Sequence, residues 1–366
     1  MILAAAAELF ARKGYPQVAM AEIAEAVGVQ PSALYRHFSN KEDILQEAIL
    51  ALDVPEASDE TFEEILERLS AITRDNPWTG VLWQRESRNL PLPVRADVTI
   101  RGQLIAANLG TALRATRPEL SDLQTEMLAW STLAIALGTF DPQQGDPARD
   151  EHLVQEMLRT AAEADIPAIG ASSPLGTSRV AGFQSRREAL LAAAIPLFAE
   201  RGYAAVSLDD VGAAVGIAGP SIYTHFPRKS DLLSTALHRA NEVLWMDMSR
   251  VMALAEDERD ALNRLLQCYI TFSLNSVDFI QLLRAEVPQL PDAERATYLQ
   301  HQNQYINEWV HLLRRVHPEA TMAACETRVR TTLHVIHAVA RRPHLRCCAG
   351  VHESLEVLGC ALIDLH

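Results

Sequence analysis

The chain repeats itself, and any fold it adopts must accommodate two copies of one unit. The stretch ALYRHFSNKEDIL, Ala33 to Leu45, returns as SIYTHFPRKSDLL, Ser221 to Leu233. Laid over one another without a gap, the halves pair Leu9-Phe10-Ala11 with Leu197-Phe198-Ala199, Gly14-Tyr15 with Gly202-Tyr203, and Val27-Gly28 with Val215-Gly216. Tyr35, His37, Phe38, Lys41, Asp43 and Leu45 likewise meet Tyr223, His225, Phe226, Lys229, Asp231 and Leu233. Ungapped agreement over roughly fifty residues is too long for accident, and a repeated unit far longer than solenoid repeats points to duplicated domains. After a spacing change of about twelve residues it resumes: Leu90-Pro91 with Leu290-Pro291, Arg95 with Arg295, Leu113-Arg114 with Leu313-Arg314, and Pro118-Glu119 with Pro318-Glu319.

The whole unit is therefore doubled, which suits a chain of 366 residues, longer than one core usually supports. The stretch 165–184, DIPAIGASSPLGTSRVAGFQ, lacks helical periodicity, is rich in Gly, Ser, Pro and Ala, and reads as the linker between copies. Residues 1–52 and 185–240 then form the two repeated N-terminal domains, and 53–164 and 241–366 the domains that follow them.

Charge and cysteine usage narrow the possible partners. A net charge of −14 argues against nonspecific nucleic-acid binding over the whole surface, so any DNA contact is local. The cysteines, Cys268, Cys325, Cys347, Cys348 and Cys360, are odd in number and confined to the last third, unlike a disulfide framework. No apolar run is long enough to cross a bilayer, and the N-terminal MILAAAAELFARKG, with Glu8 inside it and no leading Lys or Arg, reads as a helix of the mature protein rather than a signal peptide. A soluble cytoplasmic protein is expected.

Helical spacing of Leu3, Ala6, Leu9 and Phe10, closed by Gly14, predicts a first helix. Met20, Ile23, Ala24 and Val27 predict a short second helix stopped by Gly28, and Pro31 opens a third over Ser32 to His37. Two short helices about a Gly-containing turn form a helix-turn-helix. Ser39 and Glu42 have capping-box spacing before a fourth helix through Leu52. The second copy repeats the series at Leu191 to Arg201, Leu208 to Val215, Pro220 to His225 and Ser230 onward.

The combination F-A-x-x-G-Y, I-A-x-x-V-G-V, L-Y-x-H-F and K-x-D-L resembles the DNA-binding domain of TetR-family transcriptional regulators. The resemblance implies an all-α chain of two tandem TetR-like units, each a helix-turn-helix domain followed by a helical ligand-binding and dimerisation domain. It also implies double-stranded DNA as partner. Two such units in one chain look like a covalently tied version of the family's dimer, an intrachain pseudo-dimer whose heads read two half-sites in successive major grooves. Pairing of two chains through other faces stays open.

The third helix should present its N-terminal part to base edges. In copy one the candidates are Gln30, Ser32, Ala33 and Arg36: Gln pairs with adenine, Arg with guanine, and Ala meets a thymine methyl. Copy two offers Gly219, Ser221 and Thr224, so the two heads should read different bases. Tyr35, His37 and Lys41, with Tyr223, His225 and Lys229, resemble the family's phosphate-contacting set, aided by the positive start of the fourth helix. Leu34, Phe38, Ile222 and Phe226 read as core. Copy one is locally acidic and copy two carries Arg186-Arg187, so copy two should supply more of the electrostatic affinity.

The long amphipathic stretches after each head carry no strand alternation. By resemblance, the last two helices of each copy pack as a four-helix bundle joining the copies, and the middle helices enclose an effector pocket. Candidate ligand contacts are Trp78, Trp83, Leu104, Asn108 and Trp130 in copy one, and Leu283, Tyr298, Gln302, Tyr305, Trp309 and His334 in copy two. RESRNLP at Arg85 to Pro91, echoed by AEVPQLP at Ala285, resembles regulators of lipid and acyl-CoA metabolism, which suggests a small apolar, acyl-type effector. The cluster from His334 to His352 matches no regular zinc spacing, and neither a metal nor a cofactor is expected.

The leading expectation is a ligand-responsive regulator, a repressor in kind, without catalysis. One alternative is a protein-binding regulator whose copy one has lost DNA affinity. An enzyme on a TetR-like scaffold is the other, and no G-x-S-x-G, P-loop or dinucleotide fingerprint supports it.

Overall fold

The computed structural model describes residues 1–50, 60–138, 151–171, 183–217 and 219–365, and at 72, 73, 75, 219 and 220 its backbone alone. The predicted helix end at Leu52 and linker residues 172–182 lie outside the described residues. The first head comprises α1 (Ile2–Lys13), a 3-10 turn (Tyr15–Gln17), α2 (Met20–Ala26), α3 (Pro31–Leu34) and α4 (Lys41–Leu50). Its body follows as α5 (Phe62–Asp75), α6 (Thr79–Val81) running into a π turn (Leu82–Glu86) and a 3-10 turn (Ser87–Asn89), then α7 (Leu92–Thr116), α8 (Asp122–Gly138) and α9 (Glu151–Glu163). The second unit repeats this as α10 (Arg186–Arg201), a 3-10 turn (Tyr203–Ala205), α11 (Leu208–Ala214), α12 (Gly219–His225) and α13 (Lys229–Leu254). Its body continues with α14 (Glu258–Asn275), α15 (Val277–Ala285), a 3-10 turn (Val287–Gln289), α16 (Asp292–Val316), α17 (Met322–Ala340), α18 (Pro343–Arg346) and α19 (Val351–Leu362). The fold is all-α, with no strand among the described residues.

Both heads are built by the same local devices. After α2 and α11 the chain turns at Gly28 (φ 69°) and Gly216 (φ 67°), where a side chain would be strained. Each turn is closed by a long backbone bond, Val29 N–H to Ala24 O (3.0 Å) and Ile217 N–H to Gly212 O (2.8 Å). In the second head, a Cβ on Gly212 would lie 2.2 Å from Ile222 Cδ1, so that glycine sets how closely α11 and α12 cross. The third helix of the first head ends earlier than its sequence predicts. His37 N–H bonds Leu34 O at 2.9 Å, an i to i+3 link that tightens residues 35–37 into a turn.

The cap of α4 is also displaced by one residue from the predicted Ser39/Glu42 box. Because the helix starts at Lys41, Asn40 Oδ1 accepts from Asp43 N–H (2.8 Å) and Asp43 accepts from Ser39 N–H (3.0 Å).

The two bodies meet along one seam. α8 packs on α17 and α9 on α19, while α8 also packs on α9 and α17 on α19, closing a ring of four helices drawn from both units. The seam face of α8 is almost wholly buried, including Met127, Leu128 and Ile135, and the hydroxyls of Ser131 and Thr132 are satisfied by Met127 O and Leu128 O. Residues 165–171 run extended across this assembly: Ile166 and Ile169 are buried, and Gly170 N–H bonds Ala349 O at 2.9 Å. Gln124 of the first unit and Ser354 of the second bond the carbonyls of Ile166 and Pro167.

The heads are seated unequally. Leu190, Phe198, Ile222 and Phe226 of the second head belong to one continuous apolar core with both bodies. Phe10, Ile23, Leu34, Phe38 and Ile49 of the first form a separate core, joined to the body through Leu82, Leu90 and Val98.

Candidate nucleic-acid interface

The α3 and α12 segments divide into a seated face and a free face. Leu34, Phe38, Ile222 and Phe226 are buried beneath them. On the outer side Gln30, Ser32, Tyr35, Arg36 and His37 are exposed and Ala33 is half-buried. In the second head Tyr223 and Thr224 are exposed, Ser221 and His225 are half-buried, and Gly219 opens α12. Two tyrosines hold equivalent exposed places in the heads, Tyr35 at 56 % and Tyr223 at 52 % accessible. Planar, hydroxyl-tipped side chains beside an exposed Arg or Thr suit a phosphate backbone and base edges.

Lys41 and Lys229 are placed differently from an exposed phosphate contact. Lys41 Nζ donates to Tyr15 O (2.7 Å) and Val18 O (2.8 Å) and lies 4.2 Å from the Tyr15 ring centre. Lys229 repeats this on Tyr203 O (2.8 Å), Val206 O (2.9 Å) and the Tyr203 ring at 4.1 Å. Desolvation pulls both ammonium groups below the usual lysine range. Each lysine thus clasps the loop between the first two helices of its head and keeps one of its three N–H donors for another partner.

Other cations of the first head are neutralised locally, Arg12 by Glu8 (2.9 Å) and Lys13 by Glu22 (2.7 Å). Arg36 has no carboxylate partner among the described residues. In the second head Arg228 pairs with Asp231 (2.5 Å), while Arg187 stacks 4.5 Å over Phe226, at the base of α12.

Beneath the heads lies a buried carboxylate that the repeat preserved in both units. Glu86 (2 % exposed) accepts from Tyr15 N–H at 3.1 Å, and Glu286 (1 % exposed) accepts from Tyr203 N–H at 3.2 Å. Burial of a charge demands a partner, and the two units supply different ones. Glu86 is paired with its neighbour Arg85 (2.5 Å), whose guanidinium also caps the end of α1 through Phe10 O (3.1 Å) and Ala11 O (2.5 Å). Glu286 has Ala285 in the place of Arg85, and its cation is Arg88 of the first unit, which also donates to Ala285 O at 2.6 Å. Sequence reasoning noticed RESRNLP as a resemblance but missed this role; the signal was a glutamate kept at both Glu86 and Glu286.

The candidate effector contacts do not converge on a single pocket. Trp78 lies under Arg12 of α1 (4.9 Å), and Trp83 Nε1–H donates to Ile49 O of α4 (3.1 Å), so both face the first head. Trp83 also meets Trp130 around Gly102, whose added Cβ would lie 3.2 Å and 3.7 Å from the two rings. Trp130 borders a groove of about 660 Å³ between α7 and α8, with Ala106, Gly110, Thr125 and Glu126. Leu104 sits on the outer face at 36 % exposure, and Asn108 is half-buried. In the second unit Tyr298, Tyr305, Trp309 and Leu283 are packed core, with Tyr305 and Trp309 edge to face at 6.4 Å and Gln302 half-buried beside them. His334 lies at the seam, 2.8 Å from Arg284 Nη1 and 2.9 Å from Gln84 Nε2. His344, Cys348 and His352 bond to Glu126, His344 O and Thr271, and no group of three metal-ligating side chains forms among the described residues.

A helix-turn-helix carried on a helical body, with an exposed third helix and a buried neck, defines a DNA-binding transcriptional regulator. The family profile described as "Bacterial regulatory proteins, tetR family" matches this chain twice, over residues 2–48 and 190–236. The HTH-type transcriptional repressor KstR2 of Rhodococcus jostii (strain RHA1) is 31% identical over 146 residues, which are 38% of this chain and 70% of that protein. The HTH-type transcriptional activator FasR of Mycolicibacterium smegmatis is 30% identical over 87 residues, 24% of this chain and 40% of that protein. Among solved structures, the ketosteroid transcriptional regulator KstR2 of Mycobacterium tuberculosis superposes with a TM-score of 0.44 at 22% identity, covering 50% of this chain and 97% of that one. The chain belongs to the TetR family, with the family's DNA-binding domain present twice. No helix among the described residues is long and apolar enough to cross a membrane.

Proposed function

We propose that the chain is a ligand-responsive repressor that works as an intrachain pseudo-dimer on two non-identical half-sites. The observation that carries this reading is the neck: Arg88 of the first unit neutralises Glu286, and that carboxylate also holds the Tyr203 N–H of the second head. A shift of the neck, from the π turn with Glu86 to the 3-10 turn with Arg88, is thereby felt by both heads. Repression is favoured by the likeness to a protein named as a repressor. The unlike sequences of the two third helices favour an asymmetric operator: Gln30, Ser32, Ala33 and Arg36 in one head, Gly219, Ser221 and Thr224 in the other.

The effector route is the groove beside Trp130. A guest that moves Trp130 presses on Gly102 and Trp83, and Trp83 is bonded to α4 of the first head. An apolar, acyl-type body suits the wall of this groove formed by Ala106, Gly110 and the indole, opposite a polar rim that includes Arg114, Asp122 and Glu126. Such a ligand acts only through its different affinity for the two arrangements of the heads.

Titration of a fluorescent upstream duplex with the full chain at two salt concentrations tests the proposal. One chain per duplex, with affinity falling steeply as salt rises, is the expected result. Two chains per duplex, or affinity indifferent to salt, would refute the pseudo-dimer. A second reading, in which the first head has turned to a protein partner, draws on the local neutralisation of Arg12 and Lys13 by Glu8 and Glu22. Retention of full affinity by an Arg36→Ala, Tyr35→Ala double variant would favour it.

A further inference from the structure

At the seam, two residues that the repeat makes equivalent have diverged and now face one another. Gln84 and Arg284 each stand two positions before the preserved glutamate, and Arg284 Nη2 donates to Gln84 Oε1. Around this contact hydrogen-bond donors outnumber acceptors. Arg284 Nη1 lies 2.8 Å from His334 Nδ1 and 3.4 Å from His337 Nδ1, and an arginine can only donate. Both histidines must therefore offer Nδ1 as acceptor and carry their proton on Nε2. His337 then has a consistent partner, the Tyr269 hydroxyl at 2.7 Å from Nε2. His334 does not: its Nε2 faces Gln84 Nε2 at 2.9 Å, a second donor, because the Gln84 carbonyl is already taken by Arg284.

Positive charge accumulates at the same place. Arg341 follows α17, its Nε is buried without a partner, and desolvation alone pulls its guanidinium down to about 10. Arg342, beside it, stacks 3.2 Å over the Trp130 ring; its Nε is likewise buried and unpartnered, while its Nη1 donates to Ala338 O and Glu126 lies near enough to favour its charge. His334 and His337 are held well below their ordinary range by burial and by Arg284 and Arg341, with no carboxylate acting on either among the described residues. Buried polar groups left in this state are destabilising unless an acceptor arrives.

We propose that this cluster is an anion seat, one per chain, in which Arg341 and His334 receive the carboxylate or phosphate end of the effector, beside a His337 held by Arg284 and Tyr269, while its apolar part lies toward Trp130. The inference rests on the effector-responsive reading and adds to it the charge of the ligand and its number. An entering oxyanion supplies the missing acceptor: it takes N–H bonds from Arg341 and from a His334 that protonates or turns its Nε2–H toward it. The number follows from the duplication. By the same ungapped pairing that aligns Pro118-Glu119 with Pro318-Glu319, His334 and His337 correspond to Ala134 and Leu137, which can hold no anion. Gly138 completes the seat from the first unit, since a Cβ there would lie 2.2 Å from His334 Cδ2.

Calorimetric titration of the full chain with octanoate, octyl phosphate, inorganic phosphate and octanol tests the seat. Expected is saturation at one octanoate or octyl phosphate per chain, whichever head group fits, with octanol at least tenfold weaker and inorganic phosphate competing if phosphate is the head group. Arg341→Gln should weaken the preferred anion at least tenfold while leaving octanol unchanged; His334→Leu, checked for folding by circular dichroism, should do the same if Arg341→Gln does not fold. Equal binding of octanoate and octanol, two anions per chain, binding of none of the probes, or full affinity in both variants would overturn the proposal. The wild-type chain is assayed on DNA without any probe in parallel: loss of DNA binding there sinks the regulator reading, whereas DNA binding without anion binding sinks the seat alone.

Discussion

Arg88 of the first unit and Glu286 of the second are joined side chain to side chain, with Nη2 also 3.3 Å from Oε2, and Glu286 in turn accepts the N–H of Tyr203 in the second head. The equivalent glutamate of the first unit, Glu86, is neutralised from within its own unit by Arg85. The duplication has therefore produced a one-way strut, from the first body to the second head. A carboxylate only 1 % exposed does not tolerate loss of its cation.

Arg88→Ala should destabilise the chain by about 3–5 kcal/mol, the typical effect of stranding a buried charge. Denaturant unfolding followed by circular dichroism measures it. Adding Glu286→Gln to Arg88→Ala should restore part of the loss, since the stranded charge is then gone. If the double variant is no more stable than the single one, the strut is not electrostatic.

How much of this could be read from the chain alone depends on the range of the interaction. The head helices follow from local spacing, from glycines such as Gly28 and Gly216 that the turns require, and from apolar residues such as Leu34 and Phe38 that recur at core positions. The candidate DNA face, Tyr35 and Tyr223 above all, follows from what is left over on those helices. Residues whose partners lie in the other unit had no local signal. Nothing next to Arg88 or Gln84 in the chain marks Glu286 and Arg284, the partners that the seam brings to them. Lys41 and Lys229 show a different limit, because nothing in the sequence beside them marks the two backbone carbonyls that each one clasps.

Lys41→Ala and Lys229→Ala should accordingly act mainly on stability, by about 1–3 kcal/mol each, since two carbonyls lose a charged donor in each head. Arg36→Ala should leave unfolding unchanged and, as a base contact, cost DNA binding about 1–3 kcal/mol while relaxing base preference at the position it reads. Comparing thermal melts with log-log salt plots of binding separates the two kinds of cation. A salt slope lowered by about 1 in each lysine variant would mean that the lysines leave their carbonyls to meet DNA.

The separate core of the first head, centred on Phe10, Ile23, Leu34 and Phe38, should open before the second, whose Phe198 and Phe226 continue into the body. Local opening requires less free energy where fewer buried contacts tie an element to the whole. Hydrogen exchange should therefore find the amides of α1 and α2 less protected than those of α10 and α11. Equal protection in the two heads would contradict this ordering.

Stability should fall on mild acidification because of His334 and His337. Burial, Arg284 and Arg341 depress both, and Gln84 and Tyr269 are the other groups at their rings. A histidine depressed in the folded chain binds fewer protons there than in the unfolded chain once pH drops below the ordinary histidine value near 6.5. The unfolded state is then favoured, so the slope of stability against pH is positive below about 6.5 and flat above it, continuing downward until the depressed folded value is reached. Carboxylates depressed by partners, such as Glu188 beside Arg239 and Asp260, which accepts from Glu256 N–H and pairs with Arg264, act in the same direction only at lower pH, near and below the ordinary carboxylate range. Urea midpoints between pH 7.5 and pH 5.5 should therefore fall in the wild type and fall less in His334→Leu. Occupancy by an anion should shallow the wild-type slope as well, because a bound oxyanion favours the protonated ring. An unchanged midpoint across that interval would show that neither histidine is held neutral by its surroundings.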